Sequence, residues 1–94
     1  MKTIMTEPHD NPSEHRFELE QDGETAFAAY RIQGDTITFT HTIVPPALEG
    51  HGVASRLIAY ALGEARSRGM KVVPQCSFVA AYIQRQPETQ DLLA

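Results

Sequence analysis

The stretch HTIVPPALEGHGVASR, residues 41–56, has the pattern of a strand end, a proline-containing loop, a glycine turn and a helix start. The first backbone N–H groups of a helix have no partner within it, so they can bind a phosphate group. Gly50 and Gly52 lack side chains, and a ligand can therefore approach the main chain closely there. The stretch predicts a phosphate-binding turn between a strand and a helix.

Upstream of this stretch, the alternation of apolar and polar residues predicts three strands joined by tight turns. The strands span residues 15–20, 25–32 and 36–44. An antiparallel meander is the expected arrangement. In the third strand the side chains of Ile37, Phe39, His41 and Ile43 share one face, which we expect to be buried.

Downstream, apolar residues at helical spacing predict a helix over residues 53–68, and Gly69 ends it. A fourth strand over residues 70–75 follows, and Ser77 is placed to cap a short last helix. A strand, a helix and a strand in this order favour parallel pairing through a right-handed crossover. Pro74 lacks an N–H, which fits a pair of strands that splay apart. The predicted fold class is α/β (α+β): a mixed sheet in the order βββαβα, with an antiparallel meander and a splayed parallel strand pair.

Length and composition are those of one small domain: 94 residues, 41% of them hydrophobic. A polar start with Pro8 and Pro12 predicts a disordered tail over residues 1–13, which leaves residues 14–94 as the domain. No apolar run approaches the ~18 residues that span a membrane, and residues 1–6 lack the apolar centre of a signal peptide. A single cysteine excludes an internal disulfide and favours a cytoplasmic location.

Charge is distributed unevenly along the chain, whose formal net charge is −4. Residues 1–50 contain three basic and nine acidic residues, and residues 51–94 contain five basic and three acidic ones. The second half can therefore tolerate an anionic ligand. No basic cluster with interleaved aromatic residues is present, so we expect no nucleic-acid partner. No histidine pair has the helical spacing of a metal site, so we expect no metal.

Two common nucleotide-binding motifs do not fit the glycine turn. The dinucleotide fingerprint G-x-G-x-x-G needs a glycine where Ser55 stands, and the P-loop needs Gly-Lys followed by Ser or Thr. What remains is a glycine turn that enters a helix. By itself this fits either an anion site or a plain strand-to-helix connection.

Three blocks of the sequence together resemble the minimal, single-domain GNAT-like N-acetyltransferases. The blocks are residues 41–45, 48–55 and 72–79, and the resemblance covers residues 15–93. The pyrophosphate loop of GNAT-type enzymes has the pattern Gln/Arg-x-x-Gly-x-Gly/Ala, which Gly52 and Ala54 match, whereas Glu49 replaces the Gln or Arg. The resemblance implies acetyl-CoA as the co-substrate. It also implies an amine acceptor, such as a protein lysine, an N-terminus or a small amine.

The residues expected to bind coenzyme A lie in and around the glycine turn. Backbone N–H groups would hold the pyrophosphate, and they belong to Gly50, His51, Gly52, Val53, Ala54 and Ser55. The guanidinium of Arg56 adds a phosphate contact or is a solvated surface charge. The pantetheine arm can pair with backbone groups of Ile43 and Val44 in the gap between the splayed strands.

Cys76 and His41 are the residues expected to be catalytic, close to the thioester. Cys76 precedes a helix, whose N-terminus makes a thiolate more available, so Cys76 either takes the acetyl group as a nucleophile or lines the site near the thioester. Alternatively, Cys76 is a small buried apolar residue. His41 has the chemistry of a general base, or is a core histidine with satisfied hydrogen bonds. We expect His51 to be a solvated loop residue. Tyr82 is expected to pack in the core rather than to protonate the leaving thiolate.

The sequence therefore predicts an acetyl-CoA-dependent N-acetyltransferase, either a monomer or a weak homodimer, without a membrane segment. A non-catalytic acyl-CoA-binding module is the first alternative, because so short a chain lacks the N-terminal helices that form an acceptor wall in larger GNAT-type enzymes. An interaction protein that has kept the fold without the ligand is the second.

Overall fold

Five β-strands form one mixed sheet that carries two α-helices, in a computed structural model that describes residues 7–94. The strands are β1 (His9–Asn11), β2 (Arg16–Gln21), β3 (Glu24–Gln33), β4 (Thr36–Ile43) and β5 (Lys71–Pro74). The helices are α1 (Val53–Ser67) and α2 (Ser77–Arg85), and short 3-10 helices span Pro12–Glu14, Pro46–Leu48 and Pro87–Leu92. No helix in residues 7–94 combines the length and the hydropathy that a membrane crossing needs.

The strands lie in the sheet in their chain order, β1 to β5. Strands β1 to β4 pair antiparallel, and β4 and β5 pair in parallel across the α1 crossover. The predicted fold class, an antiparallel meander with a parallel strand pair, is confirmed. The sheet has one strand more than predicted, because β1 adds to the free side of β2.

The core lies between one face of the sheet and the two helices. Residues of α1 that recur at intervals of three or four are buried: Val53, Leu57, Ile58, Ala61, Leu62 and Ala65. They pack with alternate residues of β2 to β4, such as Phe17, Ala28 and Phe39. Val79 and Ile83 of α2 belong to the same cluster. The opposite face of the sheet, called the outer face below, carries Arg16, Glu18, Phe27 and Ala29.

Strands β4 and β5 separate at Phe39 and Pro74, which form the last pair of their parallel ladder. Pro74 has no N–H to donate, so the ladder cannot continue through it. The Cys76 N–H still donates to the Phe39 carbonyl at 2.9 Å, and the chain then enters α2. Among the described residues, β4 therefore continues over residues 40–43 with no strand on its β5 side.

A β-bulge at Thr40 interrupts the pairing of β4 with β3. Tyr30 pairs with Phe39, but the next pair joins Ala29 to His41, so β4 contains one extra residue there. Because side chains alternate along a strand, an extra residue moves every later side chain of β4 to the opposite face.

The bulge corrects the prediction that His41 and Ile43 share a buried face with Ile37 and Phe39. Ile37 and Phe39 are buried, whereas His41 is exposed and Ile43 is 48% exposed. The His41 ring stands edge-on to Phe27 of the outer face, with 6.0 Å between ring centroids. His41 and Ile43 therefore both lie on the outer face.

Strand β1 corrects the prediction of a disordered tail over residues 1–13. His9–Asn11 pair with β2, and the 3-10 helix Pro12–Glu14 makes the connection. Residues 1–6 lie outside the described part of the chain. Apolar alternation could not predict this strand, because polar side chains hold it in place.

A polar network on the outer face of the sheet holds β1 against β2. It surrounds the carboxylate of Glu18, a residue that is 6% exposed. Glu18 accepts hydrogen bonds from Arg16 Nε at 2.6 Å and Asn11 Nδ2 at 3.0 Å, and His9 Nε2 lies at 3.2 Å. Burial alone would raise the pKa of Glu18. The hydrogen bonds from Arg16, Asn11 and His9 outweigh that effect, and the pKa lies below its ordinary value.

A second network ties β1 to the core and to the C-terminal end of α1. The Tyr30 hydroxyl donates to Asp10 Oδ1 at 2.7 Å, and Arg68 donates to Asp10 Oδ2 at 2.9 Å. Burial raises the pKa of the Tyr30 hydroxyl, and the Asp10 carboxylate raises it further. Arg68 also bonds Glu64 at 3.0 Å, so one guanidinium joins β1 to α1.

The C-terminal segment closes the far side of β5. Leu92 is buried, Leu93 forms an isolated parallel bridge with Val72, and the Ala94 N–H donates to the Val72 carbonyl at 3.0 Å. At the other end of β5, Cys76 rather than Ser77 occupies the N-cap of α2. In the described residues no side chain caps the start of α2.

Candidate functional site

A cleft of about 350 Å³ lies where the loop after β4 meets α1. Its lining residues are Val44, Leu48, Glu49, Gly50, Gly52, Val53, Ala54, Ser55 and Phe78. Leu48 and Val53 are buried and give the cleft an apolar base, whereas Phe78 of α2 is 40% exposed. The cleft thus brings together the glycine turn, the first turn of α1 and the first turn of α2.

Gly50 and Gly52 shape the turn through their backbone conformation. Their φ angles are +83° and +72°, in the left-handed region where a side chain is strained. Gly52 is the N-cap of α1, and within residues 7–94 no side-chain hydrogen bond caps the start of that helix. A Cβ on either glycine would meet no atom within 4 Å, so the space beside the turn is open to a ligand.

The same turn presents a run of backbone N–H groups. Among the described residues, the amides of residues 50–55 donate to no backbone carbonyl, and the first bond of α1 joins the Arg56 N–H to the Gly52 carbonyl at 3.1 Å. These amides lie at the positive end of the helix dipole. The arrangement suits a phosphate group or another anion of similar size.

Two charged side chains of opposite sign lie near these amides. Glu49 is exposed and lines the cleft, so its carboxylate repels an anion bound there. Arg56 Nη1 is 3.5 Å from Gln21 Oε1 at the end of β2. The guanidinium of Arg56 is therefore directed towards the β2–β3 turn, and Arg56 does not line the cleft.

The end of β4 offers a free backbone edge beside the cleft. Val44 lines the cleft, while the side chain of Ile43 points to the outer face. Within the described residues no strand pairs with residues 40–43 on the β5 side. An extended ligand with amide groups of its own can pair with such an edge.

Cys76 lies at the point where β4 and β5 separate, two residues before Phe78. It is 8% exposed, and its Sγ is 3.3 Å from Thr42 Oγ1. Thr42 pairs with Ala28, whose side chain is in the core, so the Thr42 side chain lies on the helix side of the sheet. The sequence did not single out Thr42, because only the bulge brings it to this face.

His41 and Cys76 are not brought together. Thr42 faces Cys76, and its neighbour His41 faces the outer side of the sheet against Phe27. The His41 ring is also 3.2 Å from Thr40 Oγ1. The two residues predicted to be catalytic therefore lie on opposite faces at the end of β4.

The remaining predicted residues either line the cleft or lie away from it. The cleft collects Val44 and most of the glycine turn and first helical turn, while His51 is an exposed loop residue that does not line it. Tyr82 packs against the core and lines a separate depression between α1 and the 3-10 helix Pro87–Leu92. In residues 7–94 no three His, Cys, Asp or Glu side chains cluster as metal ligands would. Phe78 was not predicted as a residue of the cleft. An aromatic residue in the first turn of the predicted last helix is the signal that could have indicated it.

Comparison with known proteins adds two findings. A family model described as GCN5-related N-acetyl-transferase matches residues 16–92. The chain is also similar to a GCN5-like protein from Staphylococcus aureus, named as a candidate N-acetyltransferase, whose solution structure superposes with a TM-score of 0.74. The sequence identity is 26%, over 95% of this chain and 88% of that one.

Proposed function

Since the chain belongs to the GCN5-related N-acetyltransferase family, we propose that it binds acetyl-CoA in the cleft beside α1 and transfers the acetyl group to an amine. The observation that carries the proposal is the run of amides at residues 50–55, which donate to no backbone carbonyl in the described part of the chain and lie next to an open cleft. A diphosphate is the part of coenzyme A that such amides recognise. The neighbouring free edge of β4 suits the amide groups of the pantetheine arm.

The proposed path of the ligand follows from these positions. The diphosphate lies on the glycine turn, and the pantetheine arm runs along residues 40–44 of β4 towards Cys76. The acceptor amine attacks the thioester carbonyl carbon, the carbon–sulfur bond breaks, and the thiolate of coenzyme A leaves. Backbone N–H groups near Val44 polarise the carbonyl. Cys76 lies beside the thioester without forming an obligatory acetyl adduct.

The acceptor proton needs a base, and His41 or an ordered water takes this role in the proposal. Since His41 is exposed on the outer face, it acts on an amine that arrives from that face. Lysine side chains, N-termini and small amines all remain acceptors of the right chemistry.

A second candidate function is acyl-CoA binding without catalysis. It is favoured by the separation of His41 from Cys76. No described histidine contacts the sulfur of Cys76, beside which the thioester is proposed to lie. Both functions need coenzyme A binding and differ only in turnover.

Calorimetric titration with coenzyme A tests the shared step. Ser55→Glu adds a negative charge to the proposed phosphate site at a regular helical position, where an acidic residue also favours the helix dipole. We expect this variant to lose at least tenfold in affinity with an unchanged melting temperature. Ala59→Glu, an exposed position further along α1, is the control with the same change of charge and should bind normally.

No binding to the unmodified protein would overturn both candidate functions. Equal affinity of the Ser55→Glu variant would overturn the placement of the diphosphate. Release of free thiol from acetyl-CoA in the presence of mixed amines then separates the two functions. Release above the amine-free rate supports transfer, and tight binding with no release supports the binding module.

A further inference from the structure

We propose that the acceptor is a small amino carboxylate, whose amine binds at His41 and whose carboxylate binds the guanidinium of Arg16. Both side chains lie on the outer face of the sheet, on either side of Ala29. This proposal rests on the proposed function in taking His41 as the place where the acceptor amine arrives. It adds the chemical class of the acceptor and a residue, Arg16, that recognises it.

The pairing of β2, β3 and β4 brings the two side chains into one row across the sheet. Arg16 pairs with Ala29, and Ala29 pairs with His41, so the three side chains share the outer face. The backbones of β2 and β4 lie roughly 10 Å apart, which is two strand spacings. Because the residue between them is an alanine, the row contains a gap with a guanidinium on one side and an imidazole on the other.

The hydrogen bonds of His41 determine which of its ring nitrogens faces a ligand. Thr40 Oγ1 donates to the Ala29 carbonyl at 3.4 Å, which uses the single proton of the hydroxyl. His41 Nδ1, 3.2 Å from the same oxygen, is therefore the donor in that contact. In the neutral ring this leaves Nε2 without a proton, and among residues 7–94 it has no hydrogen-bond partner. Nε2 can accept a hydrogen bond from an ammonium group.

The guanidinium of Arg16 is held in place by two contacts that leave part of it accessible. Its Nε donates to Glu18 Oε2 at 2.6 Å, and its Cζ lies 4.4 Å from the centre of the Phe27 ring. The two Nη groups make no hydrogen bond within the described residues, and 31% of the side-chain surface is exposed. A guanidinium fixed in this way can bind a carboxylate through two parallel N–H···O bonds.

The acidic side chains of the outer face do not oppose a carboxylate in this gap. Glu18 is buried, and its carboxylate already accepts hydrogen bonds from the surrounding side chains. Glu20, the next acidic residue on this face of β2, lies on the far side of Glu18 from the row. Arg31, the next residue after Ala29 on this face of β3, is exposed and positively charged.

The spacing of the two groups favours an amine and a carboxylate at opposite ends of a short chain. An α-amino acid holds both groups on one carbon, so it cannot reach from His41 to Arg16. δ-Aminovalerate is long enough to do so, with its methylene groups over Ala29 and Phe27. Ile43 pairs with Phe27 and is 48% exposed, so it adds apolar surface beside this chain.

Titration with small amines, followed by the amide NMR signals of Ala29 and His41, tests the site without coenzyme A. δ-Aminovalerate should shift both signals and bind about fivefold more tightly than δ-aminovaleramide, as expected for one well-oriented, partly exposed ion pair. The amide has the same length and no negative charge. Norvaline is an isomer of δ-aminovalerate with its amine beside the carboxylate, and it should bind no better than the amide.

Two variants test the role of Arg16. Arg16→Gln removes the charge and keeps a side-chain N–H for Glu18, and it should bind δ-aminovalerate and its amide equally. Arg31→Gln has the same change of charge on the same face and should keep most of the preference, because charges that make no contact are screened. Should Arg16→Gln fail to fold, Ala29→Leu keeps the Arg16–Glu18 pair, and by filling the gap it should block both amines.

Transfer from acetyl-CoA gives a second readout of the same preference. In a mixture of δ-aminovalerate and its amide, the ratio of the acetylated products measured by mass spectrometry equals the ratio of kcat/KM at equal concentrations. We expect about fivefold more of the acetylated carboxylate. Equal transfer to both amines would keep the proposed function and overturn this proposal.

Equal affinities of the unmodified protein for δ-aminovalerate and its amide would also overturn it. So would an equal loss of the preference in Arg16→Gln and Arg31→Gln, because the charge of the whole face would then select the ligand. Unchanged binding by Ala29→Leu would exclude the gap as the site. Tighter binding of a peptide with aspartate next to its N-terminal amine would assign the face to a polypeptide. Failure of coenzyme A to bind would overturn the proposed function, and the titration with amines would remain valid.

Discussion

Glu49 is the residue of the cleft that opposes the proposed ligand. Its exposed carboxylate lines the same cleft as the amides that would hold a diphosphate. Like charges a few ångströms apart in a solvated cleft repel by about 1 kcal/mol or less, and salt screens the repulsion. In the proposed complex, the favourable contacts of these amides with coenzyme A are therefore partly offset by this one carboxylate.

Replacement of that carboxylate should strengthen binding. We expect Glu49→Gln to bind coenzyme A about threefold more tightly at low salt, as one exposed charge contributes a few tenths to 1 kcal/mol. Calorimetry at two salt concentrations measures the effect, and the gain should shrink at high salt. Glu88→Gln, near the far end of α1, is the control and should leave the affinity for coenzyme A unchanged at both salt concentrations. Weaker binding by Glu49→Gln would mean that the carboxylate contacts the ligand favourably.

The residues of the glycine turn were predictable from the sequence, and the residues around Cys76 were predictable only in part. Glycine residues are typical of turns, so Gly50 and Gly52 predict one, and both have positive φ angles. The bulge at Thr40 has no signal in a run of alternating threonines and apolar residues. Without it, the faces assigned to His41 and Thr42 are exchanged.

At the scale of elements, β1 depends on polar side chains more than on apolar burial. On the outer face, Glu18 is buried among the side chains of β1 and β2 and bonds Arg16, Asn11 and His9, while Asp10 bonds Tyr30 and Arg68. The strand was missed because sequence patterns reveal strands through apolar alternation, and residues 9–11 contain none. The other strands and both helices follow from such patterns.

The depressed pKa of Glu18 predicts how stability depends on pH. A carboxyl whose pKa is lower in the folded state contributes stability above its unfolded pKa of about 4.3, and the contribution is lost as the pH falls through the folded value. The unmodified protein should therefore lose stability below about pH 4.3. Glu18→Gln should be about 1–3 kcal/mol less stable at pH 7, because three hydrogen bonds to a charged acceptor are lost or weakened.

Urea unfolding at pH 7 and pH 3 measures both effects. The gap between Glu18→Gln and the unmodified protein should be wide at pH 7 and narrow at pH 3. Glu20→Gln, two residues further along β2 and exposed, should follow the unmodified protein at both values. A gap of the same size at both values would show that burial, and not ionisation, accounts for the loss.

At the scale of the whole molecule, a small hydrophobic core stabilises the fold, and binding of the proposed ligand would add to its stability. Leu57 is fully buried in the middle of that core. Leu57→Ala should lower the free energy of unfolding by about 2–5 kcal/mol, a large part of the 5–15 kcal/mol typical of a native domain.

Excess coenzyme A should offset much of that loss if it binds the folded state alone. At one hundred times its Kd, a ligand adds about 2.7 kcal/mol to stability. Melting temperatures of Leu57→Ala with and without coenzyme A measure the effect, and Ser67→Ala, at an exposed position, is the control. If coenzyme A raised the melting temperature of the unmodified protein but not that of Leu57→Ala, the variant would have lost the native cleft.

The way the sheet ends on each side bears on how the protein behaves when concentrated. A long free edge strand invites pairing between molecules and the growth of aggregates. Here β1 covers the edge of β2 over its first three residues, and Leu93 and Ala94 partly cover the edge of β5. Short, polar or partly blocked edges of this kind offer a poor template for fibrils, so the two terminal segments protect solubility although neither contributes to the cleft.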